Sequence, residues 1–345
     1  MGTSRKTCGT VTARFGIVGY GNIAAAHATA IHSSGAAELI AVADPDQRAR
    51  QAAHERWGCS TYESVGRMLR DAKIDAACVC APPILHRPLT EQLLTAGVHV
   101  LCEKPLSVTG DDARAMVDLA EERQLVIAVS SKFRHVADLV QARRQIDEGA
   151  IGRPIFYEVT LCALVPLATR WNCRRVQSGG GVVMDNGTHA YDILTAVLGE
   201  TPLVTSAIFG IRTINPDVED TAEILFRTNG DIIGRIALSW TYFTKDLDYL
   251  QVQGTKGTLR VGWSASAVRV HGSTDWTPFG SGYNKEEAFG SQLAAFLSRM
   301  SRPQRASTEV IGALDFVERT YEVERLGRRV TSGESWDTLP RLVPR

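Results

Sequence analysis

The sequence predicts a doubly wound parallel α/β domain, followed by an α+β domain with helices and a mostly antiparallel open sheet. Two observations predict this arrangement. Short apolar runs alternate with amphipathic segments as far as Val129, and longer stretches with a period of two follow Phe133. Alternating strands and helices form βαβ units and a parallel sheet, whereas strands joined by short turns are antiparallel neighbours. The length of 345 residues fits two domains, which we place at residues 1–133 and 134–341.

Short apolar runs alternate with amphipathic segments along the first domain, and this pattern predicts alternating strands and helices. The predicted strands are Ala13 to Val18, Glu38 to Ala43, Ala76 to Cys80, Val98 to Cys102 and Val126 to Val129. The predicted helices are Asn22 to Ser33, Gln47 to Trp57, Ser64 to Arg70, Leu85 to Thr95 and Asp112 to Arg123. This order is typical of a doubly wound sheet.

The second domain is predicted from stretches in which apolar and polar residues alternate. Its strands are expected at Ile155 to Leu164, Leu203 to Arg212, Thr221 to Arg227, Ile232 to Thr241, Tyr249 to Gln253 and Thr258 to Val261. Its helices are expected at Val136 to Glu148, Gly181 to Leu198, Lys285 to Met300 and Thr308 to Leu326. The turn Thr228-Asn-Gly-Asp231 makes the two strands beside it antiparallel neighbours.

Charge and composition favour a small-molecule partner. Lys and Arg number 38, as do Asp and Glu, and no basic stripe suited to a nucleic acid is present. No apolar run is long enough for a membrane span, and residues 1–14 lack the apolar middle of a signal peptide, which predicts a cytoplasmic protein. The seven cysteines have neither disulfide-framework nor zinc-site spacing. The last four residues, 342–345, match a thrombin recognition sequence, and we leave them out of the fold prediction.

A glycine pattern typical of dinucleotide binding follows the first predicted strand. It reads Gly19-Tyr-Gly-Asn-Ile-Ala24 and opens the first predicted helix. Glycines there permit a tight turn and let the helix N-terminus approach a pyrophosphate. Asp44 ends the second strand, where a carboxylate accepts hydrogen bonds from the adenosine ribose and would also be the N-cap of the next helix. The pattern predicts a Rossmann domain that binds NAD rather than NADP, although Arg48 is placed to hold a 2′-phosphate.

Two further strand ends face the crevice of the predicted parallel sheet. The strand from Val98 ends in Glu103-Lys-Pro105, and the strand before it ends in Cys80-Ala-Pro-Pro83, with His86 nearby. Ligands of open α/β sheets bind at such ends. The ammonium of Lys104, close to a nicotinamide, can donate a hydrogen bond to a substrate oxygen and stabilise its alkoxide character.

The second domain contains a glycine-rich segment, residues 179–192, which also carries two aspartates and a histidine. If the segment is helical, Asp185 and His189 lie at i and i+4 on one face, with Asp192 a further turn along. A carboxylate beside an imidazole fixes its tautomer and raises its basicity, which predicts a general base. A metal site is the alternative interpretation, but spacing places no third strong ligand.

Taken in this order and at these intervals, the three motifs resemble those of the glucose-fructose oxidoreductase, inositol dehydrogenase and MocA family. The resemblance covers nearly the whole chain. Ala24 stands in place of the third glycine, and Ile84 stands where an asparagine is common, but neither change removes a proposed catalytic group. The resemblance implies that Lys104 and His189 form the catalytic pair, with Asp185 placing the substrate or the imidazole.

The resemblance also implies that Phe133-Arg134 flanks the cofactor and that the protein is a homo-oligomer, either a dimer or a tetramer. The predicted cofactor-binding residues are Gly19, Gly21, Asn22, Ile23, Asp44, Arg48, Ala81, Pro82, His86, Glu103, Lys104 and Arg134. The predicted substrate-binding residues are Lys104, Tyr157, Arg170, Trp171, Asp185, Asn186 and His189. No metal ligand is predicted.

The leading functional hypothesis is an NAD-dependent dehydrogenase that oxidises a secondary hydroxyl of a sugar, aminoglycoside or cyclitol. In it, His189 takes the hydroxyl proton while Lys104 polarises the oxygen. The excess of arginine over lysine indicates a GC-rich genome, which suggests an aminoglycoside or deoxysugar pathway. The alternatives are a ketoreductase of a nucleotide-linked keto sugar and, from another class, a non-catalytic dinucleotide sensor.

Overall fold

The computed structural model describes residues 12–166, 171–210, 217–244, 247–301 and 309–331. Its first sheet has six strands in the order β3-β2-β1-β4-β5-β6, and each neighbouring pair is parallel. These strands are β1 (Ala13–Val18), β2 (Ala37–Ala43), β3 (Ser60–Tyr62), β4 (Ala76–Val79), β5 (His99–Cys102) and β6 (Ile127–Val129). This strand order is that of the Rossmann fold, which confirms the predicted fold of the first domain.

Helices connect these strands and lie on both faces of the sheet. They are α1 (Asn22–Ser33), α2 (Gln47–Trp57), α3 (Val65–Asp71), α4 (His86–Thr95) and α5 (Gly110–Glu122). The helix ends have local causes: Thr109 accepts a hydrogen bond at the start of α5, and Gly58 ends α2 in the left-handed region. The short edge strand β3 was not predicted, because three residues are too few for a periodic signal.

The second sheet has eight strands in the order β14-β13-β12-β11-β7-β10-β9-β8. They are β7 (Pro154–Cys162), β8 (Leu203–Gly210), β9 (Thr221–Arg227), β10 (Ile233–Ser239), β11 (Asp248–Gly254), β12 (Gly257–Gly262), β13 (Ser266–Val270) and β14 (Thr277–Gly280). Among the described strands of this second sheet, β7 and β10 are parallel and the other neighbouring pairs are antiparallel. The predicted mostly antiparallel sheet is therefore confirmed. The sequence analysis missed β13 and β14.

The helices of the second half are α6 (Ala137–Asp147), α7 (Arg175–Ser178), α8 (Thr188–Leu198), α9 (Lys285–Met300) and α10 (Glu309–Thr331). The predicted helix from Gly181 to Leu198 is not one regular helix, because a wider π turn, Val183–Gly187, precedes α8. Helix α9 returns to the first sheet, where Phe289, Leu293 and Phe296 join its apolar core. Within the described residues, no helix is both long and apolar enough to cross a membrane.

The domain division at residues 133 and 134 stays a prediction. The proposed tail at 342–345 lies outside the described residues.

Candidate active site

A cleft of about 940 Å³ opens beyond the carboxyl ends of the parallel strands. One end is lined by the glycine turn after β1 and by Asp44 after β2. The other end is lined by Lys104 after β5 and by Asp185 and His189 near the start of α8. The cleft therefore brings together the motifs from both halves of the chain.

The first end of the cleft fits a dinucleotide. Gly19 has a φ of +83°, and a Cβ there would lie 3.0 Å from the backbone nitrogen of Ala81, so the turn requires glycine. A Cβ on Gly21 would meet nothing within 4 Å, which leaves open space before the N-terminus of α1. Backbone N–H groups at such a helix start bind phosphate oxygens. Asn22 and Ile23 also line the cleft.

The carboxylate of Asp44 is held in place by two backbone amides. The amide of Tyr20 donates to its Oδ2 at 2.7 Å, and the amide of Asp46 donates to its Oδ1 at 2.8 Å. The N-cap of α2 is Asp46, which corrects the prediction that Asp44 has that role. Arg48 is exposed and is not among the residues lining the cleft, and its place in the cofactor site stays a prediction.

In the wall of the cleft, Glu103 is part of a buried polar cluster. Nε2 of His27 lies 2.8 Å from Oε1 of Glu103, and the hydroxyl of Ser130 donates to the same oxygen at 2.8 Å. Burial alone lowers the pKa of His27, but the neighbouring Cys78 and Glu103 raise it to about 10. Burial raises the pKa of Glu103, yet its bonds to His27 and Ser130 bring it down to about 2. The pair is therefore ionic near neutral pH.

Lys104 lies beside Asp185, on the opposite wall. Its Nζ donates to Oδ1 of Asp185 and, at 3.2 Å, to the backbone carbonyl of the same residue. The side-chain amide of Asn172 donates to the other carboxylate oxygen at 3.4 Å. An ammonium has three protons, so Lys104 keeps one for a ligand in the cleft.

His189 is buried in the wall of the cleft. Its ring meets the edge of Phe133 at a centroid distance of 4.9 Å, and its Nδ1 has no hydrogen-bond partner among the described residues. Burial, then the charges of Lys104 and Lys132, keeps the pKa of His189 well below its usual value. This direction is opposite to the predicted rise in basicity. The imidazole is neutral at physiological pH and is able to accept a proton.

Several predicted site residues lie away from the cleft. Both ring nitrogens of His86 contact backbone carbonyls, those of Pro105 and Ala81, so His86 links two strand-end loops. Arg134 pairs with Asp192 at 2.9 Å, and it is not among the residues lining the cleft. The roles of His86 and Arg134 as cofactor ligands stay predictions.

Two predicted substrate residues also lie away from the residues that line the cleft, and their roles stay predictions. Tyr157 is buried in the apolar core, and Asn186 donates its side-chain amide to the carbonyl of Leu161. Trp171, Ala81, Pro82 and Glu103 do line the cleft, whereas Arg170 lies outside the described residues.

The sequence analysis missed several residues that line the cleft. They are Ser130 and Lys132 after β6, Asn172 beside Trp171, and Phe289 on α9. Ser130 and Lys132 could have been predicted from their position after β6, because Phe133 and Arg134, which follow Lys132, were predicted to flank the cofactor. Asn172 and Phe289 carry no sequence signal, because only the tertiary fold brings them to the cleft.

Two family models match the chain in sequence. The model described as "Oxidoreductase family, NAD-binding Rossmann fold" matches residues 13–131. The model described as "GFO/IDH/MocA C-terminal domain" matches residues 139–260. Together they cover both sheets.

Named relatives support the same assignment. The chain is 32% identical over 249 residues to 1,5-anhydro-D-fructose reductase of Ensifer adhaerens, covering 71% of this chain and 74% of that protein. It is 33% identical over 205 residues to dTDP-3,4-didehydro-2,6-dideoxy-alpha-D-glucose 3-reductase of Streptomyces violaceoruber, covering 58% of this chain and 59% of that protein.

A solved structure, that of GenD2 from gentamicin A biosynthesis in complex with NAD, is similar with a TM-score of 0.81. Its sequence identity is 22%, and the match covers 95% of this chain and 98% of that chain. At this identity, the similarity shows the fold alone.

Proposed function

This chain belongs to the GFO/IDH/MocA family of oxidoreductases, and on that basis we propose that it oxidises a secondary hydroxyl of a sugar, aminoglycoside or cyclitol to a ketone. The predicted family and the predicted NAD cofactor are thereby confirmed. One observation carries the proposal: Lys104, Asp185 and His189 lie in a single cleft, whose other end has the glycine turn and Asp44.

In the proposed reaction, His189 accepts the hydroxyl proton. Its neutral imidazole is the form that can do so, and burial in the wall of the cleft is the main reason that it stays neutral. Lys104 donates its remaining N–H to the same oxygen and stabilises the negative charge that develops there. Asp185 orients that ammonium through its carboxylate and its carbonyl.

The nicotinamide ring of bound NAD would take the hydride from the carbon of the reacting alcohol. The glycine turn and Asp44 would place the pyrophosphate and the adenosine ribose. Trp171 offers an aromatic face near Asn172 and Asp185, on which the apolar side of a sugar ring can stack.

The test is a panel of inositols, neutral sugars and aminoglycosides, assayed with NAD by absorbance at the NADH wavelength. His189→Ala and Lys104→Met should each lower turnover by at least about 100-fold, the usual worth of a positioned acid or base, while NAD still binds. His271→Ala is the matched control, because His271 is exposed and does not line the cleft. Unchanged turnover in both site variants would exclude this mechanism.

A second candidate is the reverse reaction, reduction of a nucleotide-linked keto sugar in natural-product biosynthesis. The similarity to the Streptomyces 3-reductase favours it. The same residues would then act in reverse: protonated His189 would give its proton to the new hydroxyl oxygen as the carbon receives the hydride, and Lys104 would donate a hydrogen bond to that oxygen. Running the same variants with NADH and a dTDP-linked keto sugar separates the two directions by their relative kcat/KM.

A further inference from the structure

Lys132 is a cation in the cleft that belongs to none of the sequence motifs and makes no direct contact with the reacting groups in the proposed reaction. It begins the 3-10 turn Lys132–His135, directly after β6 and Ser131. Its side chain is half-buried and lines the cleft together with Lys104, Asp185 and His189. It therefore faces the space in which the reacting end of a substrate would lie.

Two aromatic rings lie close to the Lys132 ammonium. Its Nζ lies 5.4 Å from the ring centre of Phe133 and 5.6 Å from that of Tyr283. Trp263 packs against both of these rings, at centroid distances of 6.2 and 5.6 Å. Within the part of the chain that the structure describes, Lys132 makes no hydrogen bond or ion pair. Ring faces attract a cation but do not neutralise its charge.

The other charges at this end of the cleft are already paired. Glu103 is bonded to the cationic His27, and Lys104 is bonded to Asp185. Lys132 thus adds a net positive charge to a partly desolvated site. Burial, followed by the charge of Lys104, lowers the pKa of Lys132 to about 8. An anion bound beside Lys132 would raise its pKa again, because an opposite charge favours the ammonium form.

We propose that Lys132 binds a carboxylate of the substrate, so that the preferred substrate is an acidic sugar or cyclitol. The proposal rests on the proposed function and deepens it by naming the substrate class. A single ammonium matches one negative charge, whereas a phosphate dianion is usually held by several donors or by an arginine fork, and no described residue lining the cleft is an arginine. The cofactor phosphates belong at the other end, by Gly19 and α1.

The test compares acid and neutral forms of one sugar. D-glucuronate and D-glucose, and D-galacturonate and D-galactose, are measured with the NAD-loaded protein for binding by calorimetry and for turnover by NADH formation. Lys132→Met should weaken binding of the acids by about 10- to 100-fold, since a hydrogen bond to a charged group is lost, and should leave binding of the neutral sugars unchanged. Lys132→Arg should keep most of the acid binding. Lys285→Met is the control, because Lys285 is a nearby cation that does not line the cleft.

The outcomes separate this proposal from the proposed function. If the acids bind through Lys132 but none is oxidised, the inference stands and the dehydrogenase proposal loses support. If neutral sugars turn over as well as the acids in both wild type and Lys132→Met, the dehydrogenase stands and the inference fails. An equal loss for acids and neutral sugars in Lys132→Met, or no binding of either acid to the wild type, also overturns it.

Discussion

The backbone at Gly180 and Gly181 passes so close to two neighbours that a side chain would displace them. A Cβ on Gly180 would lie 2.0 Å from the hydroxyl of Tyr321, and one on Gly181 would lie 1.8 Å from the carbonyl oxygen of Glu219. The carboxylate of Glu219 accepts hydrogen bonds from the amides of Gly181 and Val183 at 3.0 and 3.1 Å. These contacts fix the start of the π turn that carries Asp185.

We expect Gly181→Ala to destabilise the protein by about 3 kcal/mol or more, because the clash is with backbone and the amide bonds to Glu219 would be lost. Gly290→Ala is the matched control: its Cβ meets nothing within 4 Å, and alanine in a helix interior gains about 0.5–1 kcal/mol. Urea unfolding of the three proteins measures both effects. Equal stability of Gly181→Ala and wild type would contradict the described backbone contact.

The carboxylate of Asp44 should determine the choice between NAD and NADP. It is held by the amides of Tyr20 and Asp46, so it meets the ribose hydroxyls without reorganising. Asp44→Ala should weaken NAD binding by about 10-fold, the worth of a charge-assisted hydrogen bond, and should improve NADP binding by removing the repulsion. Fluorescence titration with each cofactor measures the ratio. Glu63→Ala is the control, an acid that also lines the cleft but lies outside the glycine turn.

At the residue scale, sequence reasoning identified groups at the ends of strands and missed those that depend on tertiary packing. Gly19, Asp44 and Lys104 each follow a parallel strand, so their position in the chain indicates their position in space. Residue type does not reveal the direction of a side chain: Tyr157 is buried in the core, and both ring nitrogens of His86 contact backbone carbonyls.

At the scale of elements, periodicity located the long helices and strands, and α2 and α9 have the bounds that were predicted. It did not reveal the π turn before α8, because a π turn differs from an α turn by hydrogen-bond register rather than by apolar pattern. The carboxylate of Asp185 accepts a hydrogen bond from Lys104. The pKa of His189 is lowered by burial, not raised by Asp185 as was predicted.

A buried polar cluster joins four elements and should make stability depend on pH. His27 on α1 and Glu103 after β5 form its ion pair, while Gln292 on α9 donates to Ser130 after β6 at 3.0 Å. The pKa of His27 in the folded protein, about 10, lies above the ordinary histidine value of 6.5. Its contribution is therefore fully present below pH 6.5 and is lost as the pH rises through 10.

His27→Gln should remove this pH dependence, because an amide donates to Glu103 without titrating. The variant should also be less stable by about 3–5 kcal/mol near neutral pH, since Glu103 loses its buried counter-charge. Urea unfolding at pH 6.5 and 9.5 measures the slope for both proteins. His32→Gln, an exposed histidine on the same helix, is the control and should keep the wild-type slope. Identical slopes in His27→Gln and wild type would show that the pair is not ionic.

For the whole molecule, the order of motifs along the chain predicted the two sheets, but not how the chain crosses between them. Helix α9 lies late in sequence, yet Phe289 packs against His27 at 5.0 Å and lines the cleft. A return of this kind depends on long-range packing, which local patterns do not encode. The cleft is therefore lined by residues from early and from late in the described chain.

The open face of the second sheet leads to the last prediction, that the chain forms a homo-oligomer. Ile208, Leu225 and Ile233 are 70%, 50% and 56% exposed. In the strand registers, Leu225 pairs with Arg235, Ile233 pairs with Arg227, and Ile208 pairs with Glu223. Paired residues, and residues two apart along one strand, point to the same face of a sheet. All three apolar residues therefore lie on one face. An apolar group of this kind on an extended sheet is typical of an interface.

Leu225→Arg should therefore reduce the mass in mass photometry from two or four chains to one, because a charge would have to be buried in the interface. Val176→Arg, at an apolar position 80% exposed but off the sheet, should leave the mass unchanged. A wild type that is monomeric at micromolar concentration would refute the prediction, whereas loss of the oligomer in Leu225→Arg alone would place the interface on this face.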